Sequence, residues 1–308
     1  MGASVFIDGE AGTTGLQIRD KLASLGGVSL VSLPAESRKD AGAKARLLRE
    51  VEIAILCLPD TAAKETAALI DSMGEAGPRV IDASSAHRVA PGWVYGFPEM
   101  AAGQGAAIAG AKRVANPGCY ATGAIALLRP LVGAGLIAPH WPVTINAVSG
   151  YSGQGKAGIE NYESGKAPSF ELYGLALEHK HMPEIIAYSG LATRPIFVPS
   201  VANFRQGMLV SIPLHLHAMP GKPRGAEIVE ALAKHYRGAA FVHVAPLIES
   251  GDPVGVLEAE SLNGTNEMQL YVFGNASRGH AVLVAKLDNL GKGASSAAVQ
   301  NLQLMLGL

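Results

Sequence analysis

Residues 4–25 constrain the fold more than any other stretch of this chain. An apolar run (SVFID, 4–8) is followed by the turn Gly9-Glu10-Ala11-Gly12-Thr13-Thr14-Gly15. A run of helical spacing comes next, with Ile18, Leu22 and Leu25 at i, i+4 and i+7, and Gly26-Gly27 stops it. A buried strand, a glycine turn and a helix make the phosphate-binding entry of a dinucleotide fold, because glycines let backbone N–H groups approach a pyrophosphate at the helix N-terminus. The spacing here is G-x-x-G-x-x-G rather than G-x-G-x-x-G, so the position between strand and helix carries the inference. An ordinary glycine-rich turn is the alternative.

The alternation continues. Residues 28–33, 51–58 and 79–82 read as strands, and a helix spans 61 to about 73. Strand and helix in turn are the signature of a doubly wound parallel sheet, an α/β fold of Rossmann type. An NAD site usually places an acidic residue after the second strand, on the ribose 2′-hydroxyl. Here that strand is followed by Ser37, Arg38 and Lys39, a hydroxyl and two cations suited to a 2′-phosphate, so NADP(H) is the expected cofactor. Glu36 argues the other way, and a solvated charged turn is the bland reading. Cys57 sits inside an apolar strand and reads as core. Arg88 lies just past the fourth strand, placed to hold an anionic group or else merely at the surface.

The chain then reaches Asn116-Pro117-Gly118-Cys119-Tyr120-Ala121-Thr122. A strand-like run enters this turn and a helix-like run leaves it, so Cys119 falls where a helix begins. Unpartnered N–H groups there carry partial positive charge and favour the thiolate, the reactive form of cysteine. A buried, inert thiol is the competing reading.

Three later segments could serve such a thiolate. In 178–184, His179 and His181 offer acid/base groups near neutral pH, and Glu184 could orient a ring. Zinc ligation by the two histidines is the weaker idea, since no further cluster of ligand spacing accompanies them, and no metal is expected. The loop 149–156, from Ser149 to Lys156, follows a strand at 142–148 and either wraps a small substrate or merely connects. Asn289, in the polar turn before an amphipathic helix at 297–306, either meets a nicotinamide carboxamide or caps the helix. Arg194 and Arg205 flank a short strand at 196–198 and are anion-binding candidates. His215 and His217 alternate with leucines on a half-exposed strand and are assigned no chemistry. Strands at 208–217, 267–273 and 281–288 predominate here, so the second domain is expected to be α+β with a mixed, largely antiparallel sheet.

Composition narrows the function. With 308 residues the chain suits two domains. A net charge of −1 gives no reason to expect nucleic acid or an anionic membrane as partner. Residues 1–4 lead directly into a strand rather than a signal peptide, no apolar run has transmembrane length, and two cysteines suit a reducing cytosol, so a cytoplasmic protein is expected.

Taken together, GEAGTTG, Ser37-Arg38, NPGCYAT, SGYSGQGK, EHKHMPEI and DNLGKGASSAAVQN resemble the semialdehyde dehydrogenase family, in its shorter N-acetyl-gamma-glutamyl-phosphate reductase branch. The resemblance runs from Gly9 to about Leu306. It implies NADPH-dependent reduction of an acyl phosphate to an aldehyde, in arginine biosynthesis. Cys119 would be nucleophile, His181 or His179 acid/base, and Glu184 a supporting carboxylate. Gly9, Gly12, Thr13, Thr14 and Gly15 would hold the pyrophosphate, with Ser37, Arg38 and Asn289 also binding cofactor. Arg88 would help bind phosphate; Ser149, Lys156 and Arg205 stand with it as substrate-binding candidates. The nucleotide domain would comprise 1–117 and 288–308, with a catalytic and dimerisation domain inserted at 118–287, in a homo-oligomer (dimer or tetramer). Aspartyl or aminoadipyl phosphate as substrate, or a catalytically silent NADP-binding sensor, are the alternatives.

Overall fold

The structure, a computed structural model, describes residues 2–38, 40–253 and 256–308. Lys39, read above as a phosphate-binding cation, lies outside them. Two compact units emerge: Met1–Pro98, Ala102–Pro117 and Ala294–Leu308 form the first, Glu99–Ala101 and Gly118–Gly293 the second.

The first unit runs β1 (Ala3–Asp8), α1 (Thr13–Ala23), β2 (Val28–Val31), α2 (Ala41–Leu48), β3 (Ile53–Leu56), α3 (Asp60–Ser72), β4 (Arg79–Asp82), β5 (Val94–Tyr95), α4 (Gln104–Gly110) and β6 (Arg113–Ala115). These strands pair in parallel in the order β2-β1-β3-β4-β6-β5. Val5 and Ile7 pack with Ile18 and Leu22 of α1 and Ile108 of α4. Phe6 points the other way, into a layer with Leu48 of α2 and Ile70 of α3. That is the period of two expected of a strand covered on both faces, and it explains the unbroken apolar runs of the sequence. Each fully buried aliphatic side chain contributes about 1.5–3 kcal/mol.

In the second unit the chain forms α5 (Cys119–Gly133), β7 (Thr144–Gly150), α6 (Gly155–Glu163), β8 (Phe170–Leu172), α7 (Met182–Ser189), β9 (Ile196–Ala202), β10 (Met208–His215), α8 (Gly225–His235), β11 (Val242–Val244), β12 (Ile248–Glu249), β13 (Met268–Asn275) and β14 (His280–Leu287). The sheet runs β11-β13-β14-β10-β7-β9-β8, with β12 beside β13. Its centre is antiparallel and β7–β9 is parallel, so the sheet is mixed as expected. Helix α5 is buried along residues 120–128. Gly123 lets it approach β10, since a Cβ there would stand 2.8 Å from Val210 Cγ2.

Helix α9 (Ser296–Leu306) returns to the first unit, where Ala298, Leu302 and Met305 join the core around Ile18. The division falls later than the expected residue 288. Residues 288–293 fold with the second unit because Asp288 accepts hydrogen bonds from Gln206 (2.5 Å) and Gly264 N–H (2.8 Å), both in that unit. Residues 99–101 join it too, through Glu99 and Lys292 at 2.8 Å.

Candidate active site

The thiol sits where the sequence places it. Gly118 is the extended N-cap residue of α5 (φ −81°, ψ 146°) and Cys119 the first helical residue. The buried Glu184, in the first turn of α7, accepts the Gly118 N–H at 3.0 Å. Glu184 therefore holds the backbone turn that presents the thiol, a contact not foreseen from the sequence.

Both histidines lie in the same cluster. The Nδ1 of His179 accepts the backbone N–H of His181 at 3.1 Å, and its Nε2 lies 3.3 Å from the Tyr173 hydroxyl. An accepting Nδ1 puts the proton of neutral His179 on Nε2, directed at that hydroxyl. The two rings meet edge to face at 4.7 Å, and Tyr120 touches both, at 5.7 and 5.8 Å between centroids. Tyr120 donates its hydroxyl to Ser200 O at 2.9 Å. Burial pushes the phenols of Tyr120 and Tyr173 well above the ordinary range, and a charge on Cys119 adds to both. Both therefore remain hydroxyls, and hydrogen-bond donors, across the working pH range. The sequence gives no signal for Tyr173, because β8 and the turn after it bring it to His179 from outside any motif.

On another side of Cys119 stands the segment 291–293. A Cβ on Gly293 would lie 2.6 Å from Cys119 Cβ, so only glycine permits this approach, and the Gly293 N–H is fixed to Asp288 O at 2.9 Å. Lys292 is buried against Glu99 and lies 5.4 Å from the centre of the Phe241 ring. Burial lowers its pKa from the ordinary lysine range, and Glu99 opposes that shift.

Asn289 is held on both sides. Its Oδ1 accepts from Gly207 N–H at 2.8 Å and its Nδ2 donates to Ser152 Oγ at 3.0 Å. These bonds fix the carboxamide between two loops of its own unit and leave its second N–H and second lone pair uncommitted. Ser149 is buried and donates to the Gly150 carbonyl. Lys156 is exposed in the first turn of α6. Arg205 is turned to the surface and ion-paired with Glu163, and Arg194 is likewise paired with Glu178. Both arginines carry exposed ion pairs. Among the described residues, no group of three or more His, Cys, Asp or Glu is placed to hold a metal ion.

The first unit carries the glycine turn between β1 and α1. Gly9 adopts φ +90°, where a Cβ would stand 2.3 Å from Cys57 O; a Cβ on Gly15 would meet Gly9 O at 2.4 Å. Gly12 caps α1, and Thr13 and Thr14 begin it. Cradled backbone of this kind, open at a helix N-terminus, fits a pyrophosphate. Beside it lies a cleft of about 230 Å³ lined by Gly9, Glu10, Ala11, Leu33, Arg38 and Lys44 among others. Ser37 closes a short helical turn and Arg38 follows it. The buried Arg88 donates from Nε to Asn116 O at 3.1 Å. Asn116 is held in turn by Asn301 of α9 at 3.1 Å, a residue that sequence reasoning passed over as helix.

Residues 36–108 match the family described as semialdehyde dehydrogenase, NAD binding domain, and residues 119–289 the one described as semialdehyde dehydrogenase, dimerisation domain. An N-acetyl-gamma-glutamyl-phosphate reductase of Chelativorans sp. is 54% identical, over 99% of this chain and 99% of its own. The chain belongs to the N-acetyl-gamma-glutamyl-phosphate reductase family. Other members that resemble it include N-acetyl-gamma-glutamyl-phosphate reductase 2 of Nostoc sp., 51% identical over 99% of this chain and 97% of its own. Among solved structures, aspartate semialdehyde dehydrogenase II from Vibrio cholerae has a TM-score of 0.70 at 17% identity, over 99% of this chain and 98% of its own. The enzyme from Candida albicans, described with NADP, has a TM-score of 0.63 at 14% identity, covering 99% of both chains. These two show that the chain has the fold of the semialdehyde dehydrogenases.

Proposed function

We propose that this chain reduces N-acetyl-glutamyl 5-phosphate to N-acetyl-glutamate 5-semialdehyde and phosphate with NADPH, in arginine biosynthesis, through a thioester on Cys119. The observation that carries the mechanism is Cys119 at the first helical residue of α5 on a turn clamped by Glu184. The Cys119 thiolate forms a bond to the acyl carbon, and the C–O bond to phosphate breaks with its electron pair on phosphate. N–H groups at the start of α5 lack intrahelical partners and suit the oxyanion that develops on the acyl oxygen. Bound NADPH supplies the hydride that reduces the thioester. Cys119 then leaves as a thiolate, freeing the aldehyde. His181, at the start of α7 beside the Tyr120 ring, is assigned the proton at a ring nitrogen; His179 positions it through the bond from the His181 N–H.

Gly9, Gly12, Thr13, Thr14 and Gly15 would hold the pyrophosphate, and Ser37 and Arg38 the 2′-phosphate. Arg88 is assigned to phosphate, with Ser149 and Lys156 toward the acyl chain. A reducing cytoplasm suits the catalytic thiol. For the assembly, the family described as a dimerisation domain covers residues 119–289. Exposed Phe170, Leu172, Ile196 and Val282 and an open apolar cleft of about 450 Å³ on the sheet support a homodimer through that face. No helix among the described residues is long and apolar enough to cross a membrane.

A substrate panel run in reverse, with aldehyde, phosphate and NADP, tests the substrate. N-acetyl-glutamate 5-semialdehyde is expected to be preferred over aspartate semialdehyde by more than about 10²-fold in kcat/KM. Equal rates, or preference for another aldehyde, would give the reaction to a different acyl phosphate.

A further inference from the structure

The cations of the cleft beside the glycine turn are not waiting for a ligand. Arg38 Nη2 lies 2.6 Å from Glu10 Oε1, Ser32 Oγ donates to Glu10 Oε2 at 2.8 Å, and Arg19 Nη1 stands 3.9 Å from the same oxygen. Lys44 is likewise paired, at 2.7 Å from Asp8 Oδ2. Glu10 is buried in the turn after β1, yet its carboxylate reaches Ser32, the first residue beyond β2. In a dinucleotide fold that strand end is where an acid meets the ribose 2′-hydroxyl of NAD, or a cation the 2′-phosphate of NADP. Here the acid arrives from the first loop instead of from the end of β2, and it already holds the arginine.

We propose that Glu10 is a cofactor-selectivity determinant: it is the built-in counter-ion of Arg38, and a 2′-phosphate must take Arg38 from it. This rests on the NADPH reading above. The carboxylate acts on the two cofactors in opposite senses. It can accept a hydrogen bond from a ribose 2′-hydroxyl, and so favours NADH. A 2′-phosphate brings close to two negative charges beside it, and like charges at this range repel. Arg38 repays that cost only by exchanging one anion for another. The chain therefore prefers NADPH less strongly than Ser37 and Arg38 alone would allow, and NADH remains a ligand.

Glu10→Gln keeps the size of the side chain and an oxygen for Ser32, and removes the charge. NADPH and NADH dissociation constants are measured by direct titration of the protein without substrate, for wild type, E10Q, R38Q and the double variant E10Q/R38Q, with folding checked by thermal melts. The ratio of NADH to NADPH dissociation constants is expected to rise about tenfold in E10Q. Relative to R38Q alone, adding E10Q should raise the ratio less than it does beside an intact Arg38, because the share exerted through the Arg38 ion pair is gone and only the direct effect of the carboxylate is left. A rise below threefold in E10Q, or a fall, overturns the proposal while leaving the cofactor reading intact; so does an undiminished rise in the R38Q background. Wild-type protein that binds neither nucleotide would overturn the cofactor reading and this proposal together. Should E10Q fail to fold, Ser32→Ala, which removes one of the bonds fixing the carboxylate, must raise the ratio by threefold or more, and an unchanged ratio overturns the proposal.

Discussion

Glu184 Oε2 and the backbone N–H of Gly118 are joined by a buried hydrogen bond of 3.0 Å, which ties the first turn of α7 to the residue that caps the cysteine helix. Removing the acceptor strands a buried donor, at a cost of about 1–3 kcal/mol. Glu184→Ala is expected to lose that much in urea denaturation and to slow Cys119 alkylation. Glu184→Gln retains an oxygen for Gly118 and should lose less than half as much. Equal losses would mean that the charge, not the bond, matters.

Gly293 stands against Cys119 closely enough that one methyl group should be felt. A Cβ would sit 2.6 Å from Cys119 Cβ and 3.1 Å from its Cα. Gly293→Ala is expected to destabilise by about 1–3 kcal/mol, as overpacking does. It should also lower kcat by more than about tenfold, because a 1 Å displacement of a reacting group is costly. Stopped-flow turnover and thermal melts check the two effects separately.

The histidines are expected to part company in pH profiles. His181→Asn should lower kcat by about 10²–10⁴-fold and flatten one limb of the kcat/KM profile. His179, tied at Nδ1 to the His181 N–H and at Nε2 to Tyr173, should act by position. His179→Asn, then, is expected to keep both limbs at a lower plateau. The reverse pattern would exchange their roles.

Much of this was legible before the structure. The alternation through 4–82 and the turn before Cys119 fix local geometry, and local geometry is what periodicity and glycine report. What sequence left out depends on distant partners. The bonds of Asn289 to Gly207 and Ser152 are likewise invisible in its own turn. Glu184 was expected to orient a ring, and its bond to Gly118 needs α7 packed on the start of α5. The ion pair of Arg205 with Glu163 joins residues 42 apart, which no local pattern signals. Glu10 has no signal of its own in the glycine motif, because its partners arrive from residue 32, just beyond β2, and from residue 38.

The two thiols should differ in reactivity. The Cys57 thiol is pushed up to about 12, first by burial and then by the carboxylates of Asp82 and Asp8. At about pH 8 one thiol per folded chain should react with iodoacetamide, and peptide mapping should place it at Cys119. The folded pKa lies above the unfolded value of 9.0, so the contribution to stability is full below pH 9.0 and lost as pH rises toward 12. Cys57→Ala is expected to lose less stability than wild type between about pH 8 and pH 10.5 in urea melts.

Covalent catalysis through Cys119 is tested most directly by trapping the acyl enzyme. Protein mixed with N-acetyl-glutamyl 5-phosphate without NADPH and quenched in acid should carry one acyl group by intact-mass spectrometry, on the peptide that contains Cys119. Phosphate should be released in equal amount, and Cys119→Ser should show neither adduct nor turnover. An enzyme that turns over fully when NADPH is added, yet forms no adduct and keeps its rate as the Cys119→Ser variant, would contradict the account.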